Sequence, residues 1–277
     1  MRVTVGRAGW WQAAVMGALF LIIASPTLRW LVNEWWTNDY YSHGLLVPPI
    51  AAFFAWRLWP GVHRRPSNAG IIALGAGLAL YLGALVDRAY FIASFALIIL
   101  LAGLVWFLLG TQALRRLAFP LGFLVFMVPL PFIEEVTLPL AQFTGVSSSY
   151  LIRLFGVKAS VSGLQVSLPN TDLVVGAQCS GVRSIIALFT LTAIAIYMLR
   201  GPLWAKLILA LATIPIAVLG NVFRVASLLL VANVWGADAG FTFYHDYSGI
   251  VFFLTAFGAL LFVSQVVGCR EIRDDIW

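Results

Sequence analysis

Cys179 stands at the head of the stretch Leu173–Gly201, where a serine and a glycine lead into a membrane-length apolar run that ends at Arg200. A thiol at the mouth of a transmembrane helix, with cations nearby, is a place where a thiolate can be formed and used as a nucleophile. The start of a helix favours the anion through its unbonded N–H groups and its dipole, and Arg183 follows at the i, i+4 spacing of one turn. Ser180 and Gly181 let the backbone approach a substrate closely, and their N–H groups can cradle an oxyanion. The plain alternative is an inert apolar residue, the commoner fate of a free cysteine.

Arg224 follows Asn221 by three residues in NVFR, so the two project from one face of a helix. Arg224 supplies a permanent cation that can hold a thiolate and then neutralise the oxygen of a tetrahedral intermediate. Because it stays protonated it cannot be the base. It suits equally well an interfacial anchor that reaches lipid phosphate. Asn221 reads as a residue that orients Arg224 or satisfies the helix end.

Of the three histidines, His63 falls in a basic loop and His43 in the first outer loop. That leaves His245, in FTFYHDYSG, as the candidate general base and acid, with a plain interfacial histidine as the competing reading. Asp246 is placed to orient its ring only if adjacent side chains meet, which they seldom do. Metal binding by His43 and His245 lacks further ligands in a matching pattern, and no cofactor is expected.

The composition says which elements carry these groups. A chain of 277 residues that is 62% hydrophobic and 10% charged, with a mean hydropathy of +0.96, cannot bury its apolar surface in a soluble core. It reads as an all-α polytopic membrane protein, because the apolar runs have helix length and lack strand alternation. One integral membrane domain over residues 1–277 is expected, without a further C-terminal domain. The net charge of +6 comes from short basic clusters between apolar spans, which fits orientation in a membrane and not nucleic-acid binding. The two cysteines, Cys179 and Cys269, offer neither a disulfide framework nor a Cys-rich metal site.

About eight spans are expected, near Trp11–Leu31, Leu45–Trp59, Ala69–Val86, Ala89–Leu109, Leu117–Ile133, Cys179–Arg200, Leu207–Leu219 and Gly249–Gly268. The first reads as an uncleaved anchor, since no small-residue cleavage site follows Ala24. Between the fifth and sixth spans lie an interfacial helix up to about Phe155 and a short extracytoplasmic hairpin in VKASVSGLQVSL, where apolar and polar residues alternate. Val225–Trp235 is too short to cross and reads as the continuation or bend of the seventh helix. If it crossed, His245 would change sides. No internal repeat supports a transporter built from inverted halves.

With both termini in the cytoplasm, eleven of the seventeen basic residues face inward. Cys179, Arg183, Asn221, Arg224, His245 and Asp246 then all reach the outer boundary from three separate segments, and such convergence is what a site requires.

The blocks AQCSGVRS (Ala177–Ser184), NVFR (Asn221–Arg224) and HDYSG (His245–Gly249), supported by YSHGLLVP (Tyr41–Pro48) and the PLP turn, resemble the exosortases, bacterial relatives of the archaeosortases. Order, spacing and the multi-span frame agree over nearly the whole chain. The resemblance implies a multi-span inner-membrane cysteine protease acting as a transpeptidase. Its partners would be membrane-anchored proteins with a C-terminal signal of the PEP-CTERM type, made of a Pro-Glu-Pro motif, a transmembrane helix and a basic tail. Members of the family that the chain resembles are often found beside exopolysaccharide genes. By motif, Cys179 would be the nucleophile, Arg224 the cation and His245 the proton-transfer residue. The acceptor nucleophile stays open, as do two alternatives: a thiol acyltransferase with a lipid donor, and a transporter or assembly factor in which the cysteine is incidental.

Overall fold

A computed structural model describes the backbone of residues 7–239 and 245–274; the side chains of residues 7–14, 16, 245 and 246 lie outside the described set. The chain divides into two compact units, Met1–Pro129 and Leu130–Trp277.

The first unit opens with α1 (Arg7–Thr37) and a 3-10 turn (Ser42–Leu46), followed by α2 (Val47–Leu58). Pro48 and Pro49 fall in the first turn of α2, where a missing N–H costs nothing. Next come α3 (Ala69–Val86), α4 (Tyr90–Leu109), α5 (Thr111–Arg116) and α6 (Ala118–Phe123). Helices α3 and α4 pack as an antiparallel hairpin with Gly70, Gly77 and Gly103 at the contact. In lipid such small residues let backbones approach and gain dispersion contacts where no hydrophobic drive exists. Polar ties hold α1 in place: the Tyr81 hydroxyl donates to the Ile23 carbonyl at 2.7 Å, and Trp35 Nε1 donates to the Met127 carbonyl at 2.8 Å.

The second unit begins with α7 (Ile133–Leu154), whose first turn carries Glu134 and Glu135, favourably placed on the helix dipole. Strands β1 (Ser160–Ser162), β2 (Gln165–Ser167) and β3 (Asp172–Val174) then form an antiparallel sheet in that order. The expected hairpin is its first two strands, in register Val161 to Val166, and a third strand adds Leu173 opposite Val166. Alternation pays here because the inward residues Val166, Leu168, Leu173 and Val175 pack on Ile152 of α7.

Helix α8 (Val182–Met198), strand β4 (Leu199–Arg200), α9 (Leu203–Trp235), α10 (His245–Val266) and β5 (Glu271–Ile272) complete the unit. Strand β5 pairs with β4, and the exposed Arg200 reaches Asp274 at 2.7 Å. Helix α9 is central, packing against α7, α8 and α10. A buried Thr192–Thr213 hydrogen bond of 3.0 Å crosses from α8 to α9.

The chain is a helical multi-pass membrane protein. Among the described residues, five helical stretches are long and apolar enough to cross a bilayer: Ala69–Val86, Tyr90–Leu109, Ala177–Met198, Leu203–Trp235 and Tyr247–Val266. The expected number was about eight, and the difference has physical causes. Helix α2 has 12 residues, which at about 1.5 Å each cannot span about 30 Å of hydrocarbon. The stretch Leu117–Ile133 is divided into α6 and a 3-10 turn (Leu124–Met127), and Pro129 and Pro131 stop further helix. Trp11–Leu31 lies within α1, part of whose side chains are outside the described set. Val225–Trp235 is the continuation of the seventh expected helix, the C-terminal part of α9.

Candidate functional site

Cys179 sits ahead of α8, in a 3-10 turn over Ala177–Cys179. Its N–H donates to the Gly176 carbonyl at 2.9 Å, and the Ser180 N–H donates to the Ala177 carbonyl at 3.1 Å. The Ser180 hydroxyl accepts from the Val182 N–H at 3.3 Å, a local bond of the kind that diverts a chain from helix. Gly181 follows with a left-handed φ of +79°, and α8 starts beyond it. Only glycine takes that conformation without steric cost.

Two expectations change as a result. The helical path is interrupted between Cys179 and Arg183, so the i, i+4 alignment does not arise, and Arg183 is exposed. The Ser180 N–H is already bonded inside the turn, so in this conformation it is not turned toward an oxyanion.

Arg224 comes from the middle of α9, about one helical turn beyond Asn221 and on the same face. Arg224 is 8% exposed, Asn221 4% and Cys179 1%. Asn221 Nδ2 donates to the Cys179 carbonyl at 2.7 Å and to Thr144 Oγ1 at 3.3 Å. Asn221 thus holds the backbone of the cysteine, a different task from orienting Arg224 or closing a helix end. Its approach explains the glycine next door: a Cβ on Gly181 would lie 2.7–2.8 Å from the Asn221 side chain. Asn221 Oδ1 is buried and makes no hydrogen bond, so the site holds an acceptor available to a bound group.

Thr144 and Ser148 of α7 were not singled out from the sequence. Ser148 Oγ donates to the Val222 carbonyl at 2.9 Å, one residue beyond Asn221. With Gly145 and Ser149 they form a small-residue, hydroxyl-bearing stretch of the buried face of α7. The signal was present in TGVSSS, where hydroxyl side chains cluster within a helix.

A narrow cleft opens between α8, α9 and α10. Its polar lining is Ser184, Asn221 and Arg224, and the remainder is apolar, with Leu188 and Phe253 among the walls. Gly249 lines the same cleft, and His245 lies one helical turn before it at the start of α10. The His245 and Asp246 side chains lie outside the described residues. Among the described residues no three His, Cys, Asp or Glu side chains stand together as metal ligands do.

The buried cysteine, asparagine and arginine can therefore support nucleophilic acyl chemistry: a thiol held through its backbone by Asn221, a buried cation one turn beyond that asparagine, and a cleft lined by the asparagine and the arginine. Comparison with known proteins agrees in kind. No curated protein and no solved structure gives a match. The profile of the transmembrane exosortase family matches residues 35–262, which includes all the blocks from Tyr41 to Gly249 named above. The chain belongs to the transmembrane exosortase family.

Proposed function

We propose that this protein is a membrane-embedded cysteine peptidase and transpeptidase that cleaves the C-terminal, PEP-CTERM-type sorting signal of exported proteins at the outer face of the bacterial cytoplasmic membrane. The observation that carries this reading is the setting of Cys179. Its carbonyl is bonded to Asn221, 42 residues away in sequence, and Arg224, one helical turn beyond Asn221 on α9, is a buried cation. An inert core cysteine needs neither.

A thiolate formed in a buried site needs a counter-charge, and in this reaction Arg224 supplies it. In the proposed reaction the thiol proton passes to His245 and Sγ attacks the carbonyl carbon of the scissile peptide. Arg224 neutralises the resulting oxyanion. The C–N bond then breaks, His245 returns the proton to the leaving amine, and the acyl group remains on Cys179 as a thioester. Water or an amine of an acceptor attacks the thioester, gives up a proton and frees the thiol.

A substrate anchored by its own helix would dock from the bilayer and present its motif at the membrane boundary, where α8 begins. With both termini in the cytoplasm, that boundary is the periplasmic one. The family match over residues 35–262 supports this class of substrate.

The test is co-expression with a tagged protein bearing such a tail. Cys179→Ala, Arg224→Ala and His245→Ala are each expected to abolish processing while the protein still inserts. Full processing by Cys179→Ala would overturn the covalent route.

A further inference from the structure

The first unit carries its charge asymmetrically. No Asp or Glu occurs between residues 40 and 86 or between 88 and 129, whereas Arg57, Arg64, Arg65, Arg115 and Arg116 all fall there. These arginines come from two segments distant in sequence, and the fold stitches the segments together at one end of the α3–α4 hairpin. The Arg65 N–H donates to the Leu109 carbonyl at 2.9 Å, and the Ser67 N–H donates to the Phe107 carbonyl at 3.2 Å. Arg116 Nε donates to the Leu58 carbonyl at 3.1 Å, and its guanidinium lies flush on Gly61, where any Cβ would collide. Gly110, with φ +90°, leaves no room for a Cβ beside the Arg65 carbonyl. The two loops are built as one surface.

Three properties of that surface define its partner. Arg64, Arg65, Arg115 and Arg116 are exposed, and the local sequence offers no carboxylate to neutralise them. The surface begins where the apolar stretches Ala69–Val86 and Tyr90–Leu109 end, which is the depth of lipid head groups. Trp56 and Trp59 flank it at 68% and 45% exposure, with the Arg64 guanidinium 5.8 Å from the Trp59 ring centre. Tryptophan with an apolar body and a polar N–H belongs at that depth, and arginine forks match phosphate oxygens.

We propose that this end of the first unit is a binding site for anionic phospholipid, with the phosphate, whose charge no head-group cation offsets, held between the loop 59–68 and the turn 109–117. The site is independent of the Cys179 chemistry and of which leaflet it faces.

The full-length protein, reconstituted in nanodiscs of phosphatidylcholine with or without phosphatidylglycerol, tests this. After exchange into detergent, the wild type is expected to retain phosphatidylglycerol in preference to phosphatidylcholine and to melt at a higher temperature with it. High salt should remove that preference. The variant R64Q/R65Q/R115Q/R116Q should lose about tenfold or more of the retained anionic lipid, and the corresponding lysine set should keep most of it. Should the fourfold variant not fold, R64Q/R115Q touches no side-chain hydrogen bond described above and is expected to show an intermediate loss. Undiminished retention in the glutamine variants would overturn the proposal. So would an equal thermal shift of the wild type from inorganic phosphate alone, which would assign the surface to a soluble anion.

Discussion

Asn221 Nδ2 lies 2.7 Å from the carbonyl oxygen of Cys179, so the residue that carries the thiol is held through its own backbone by a side chain of α9. The same carboxamide reaches Thr144 of α7. Three elements are thus fixed to one another by a buried amide, and each hydrogen bond of this kind contributes about 1 kcal/mol net, more when its loss strands a buried partner.

Asn221→Ala removes that hold and leaves a buried carbonyl unsatisfied. Processing is expected to fall about ten- to hundredfold, corresponding to about 1–3 kcal/mol. Asn221→Asp keeps the shape but replaces the donor with an oxygen facing an oxygen, and should be no better than alanine. Both are read as substrate cleavage per inserted protein; wild-type rates in Asn221→Asp would remove the clamp from the account.

Gly181→Ala meets two obstacles, a left-handed φ of +79° and a contact of 2.7–2.8 Å with Asn221. The conformation alone costs about 1–2 kcal/mol, and relief would require the asparagine to move. We expect a lower melting temperature in detergent together with a loss of processing close to that of Asn221→Ala. If the double variant loses no more than either single one, the two residues act through one contact.

Arg224→Met preserves bulk in a site that is 8% exposed but deletes the charge. A loss of at least about a hundredfold in cleavage is expected, in the range seen when an oxyanion donor is removed. Arg224→Lys keeps the charge without the fork and should fall between. Equal rates in methionine and lysine variants would mean that the charge is not what the reaction uses.

Orientation can be read from introduced thiols, because the native ones cannot report it: Cys179 and Cys269 are both 1% exposed. Lys158 beside the sheet and Arg64 in the basic loop are exposed. In a Cys269→Ala background, Lys158→Cys is expected to react with an impermeant maleimide added outside intact cells, and Arg64→Cys only after permeabilisation. The opposite pattern would invert the proposed topology.

Much of this was legible in the chain, at the level where a single physical cause dominates. Hydropathy gave the membrane class and the limits of α3 and α4 almost to the residue, and alternation in VKASVSGLQVSL gave the first two strands. Cys179, Asn221 and Arg224 stood out because polar groups are costly at the end of an apolar run.

What stayed hidden depended on competition between local and distant terms. The break at Gly181 comes from a serine hydroxyl and a left-handed glycine acting together, so helical spacing does not carry over from Cys179 to Arg183. The task of Asn221 depends on a turn 42 residues earlier, which no periodicity encodes. The span count faltered where proline divides an apolar run, since hydropathy is blind to a missing N–H.

The length of α9 has its own consequence. Its 33 residues, at about 1.5 Å each, make a rod of about 50 Å, against about 30 Å of hydrocarbon. Leaning alone would need more than about 50° of tilt, beyond the range of about 0–40° found for such helices, so at least about two turns must stand clear of the oil. Val225, Ala226, Leu229 and Ala232 near the far end pack beneath the small sheet, and Asn170 ties that sheet's loop to the Asn233 carbonyl at 2.7 Å. The rod is therefore both membrane stave and mast: the canopy of strands rests on Val225, the residue next to the guanidinium's own.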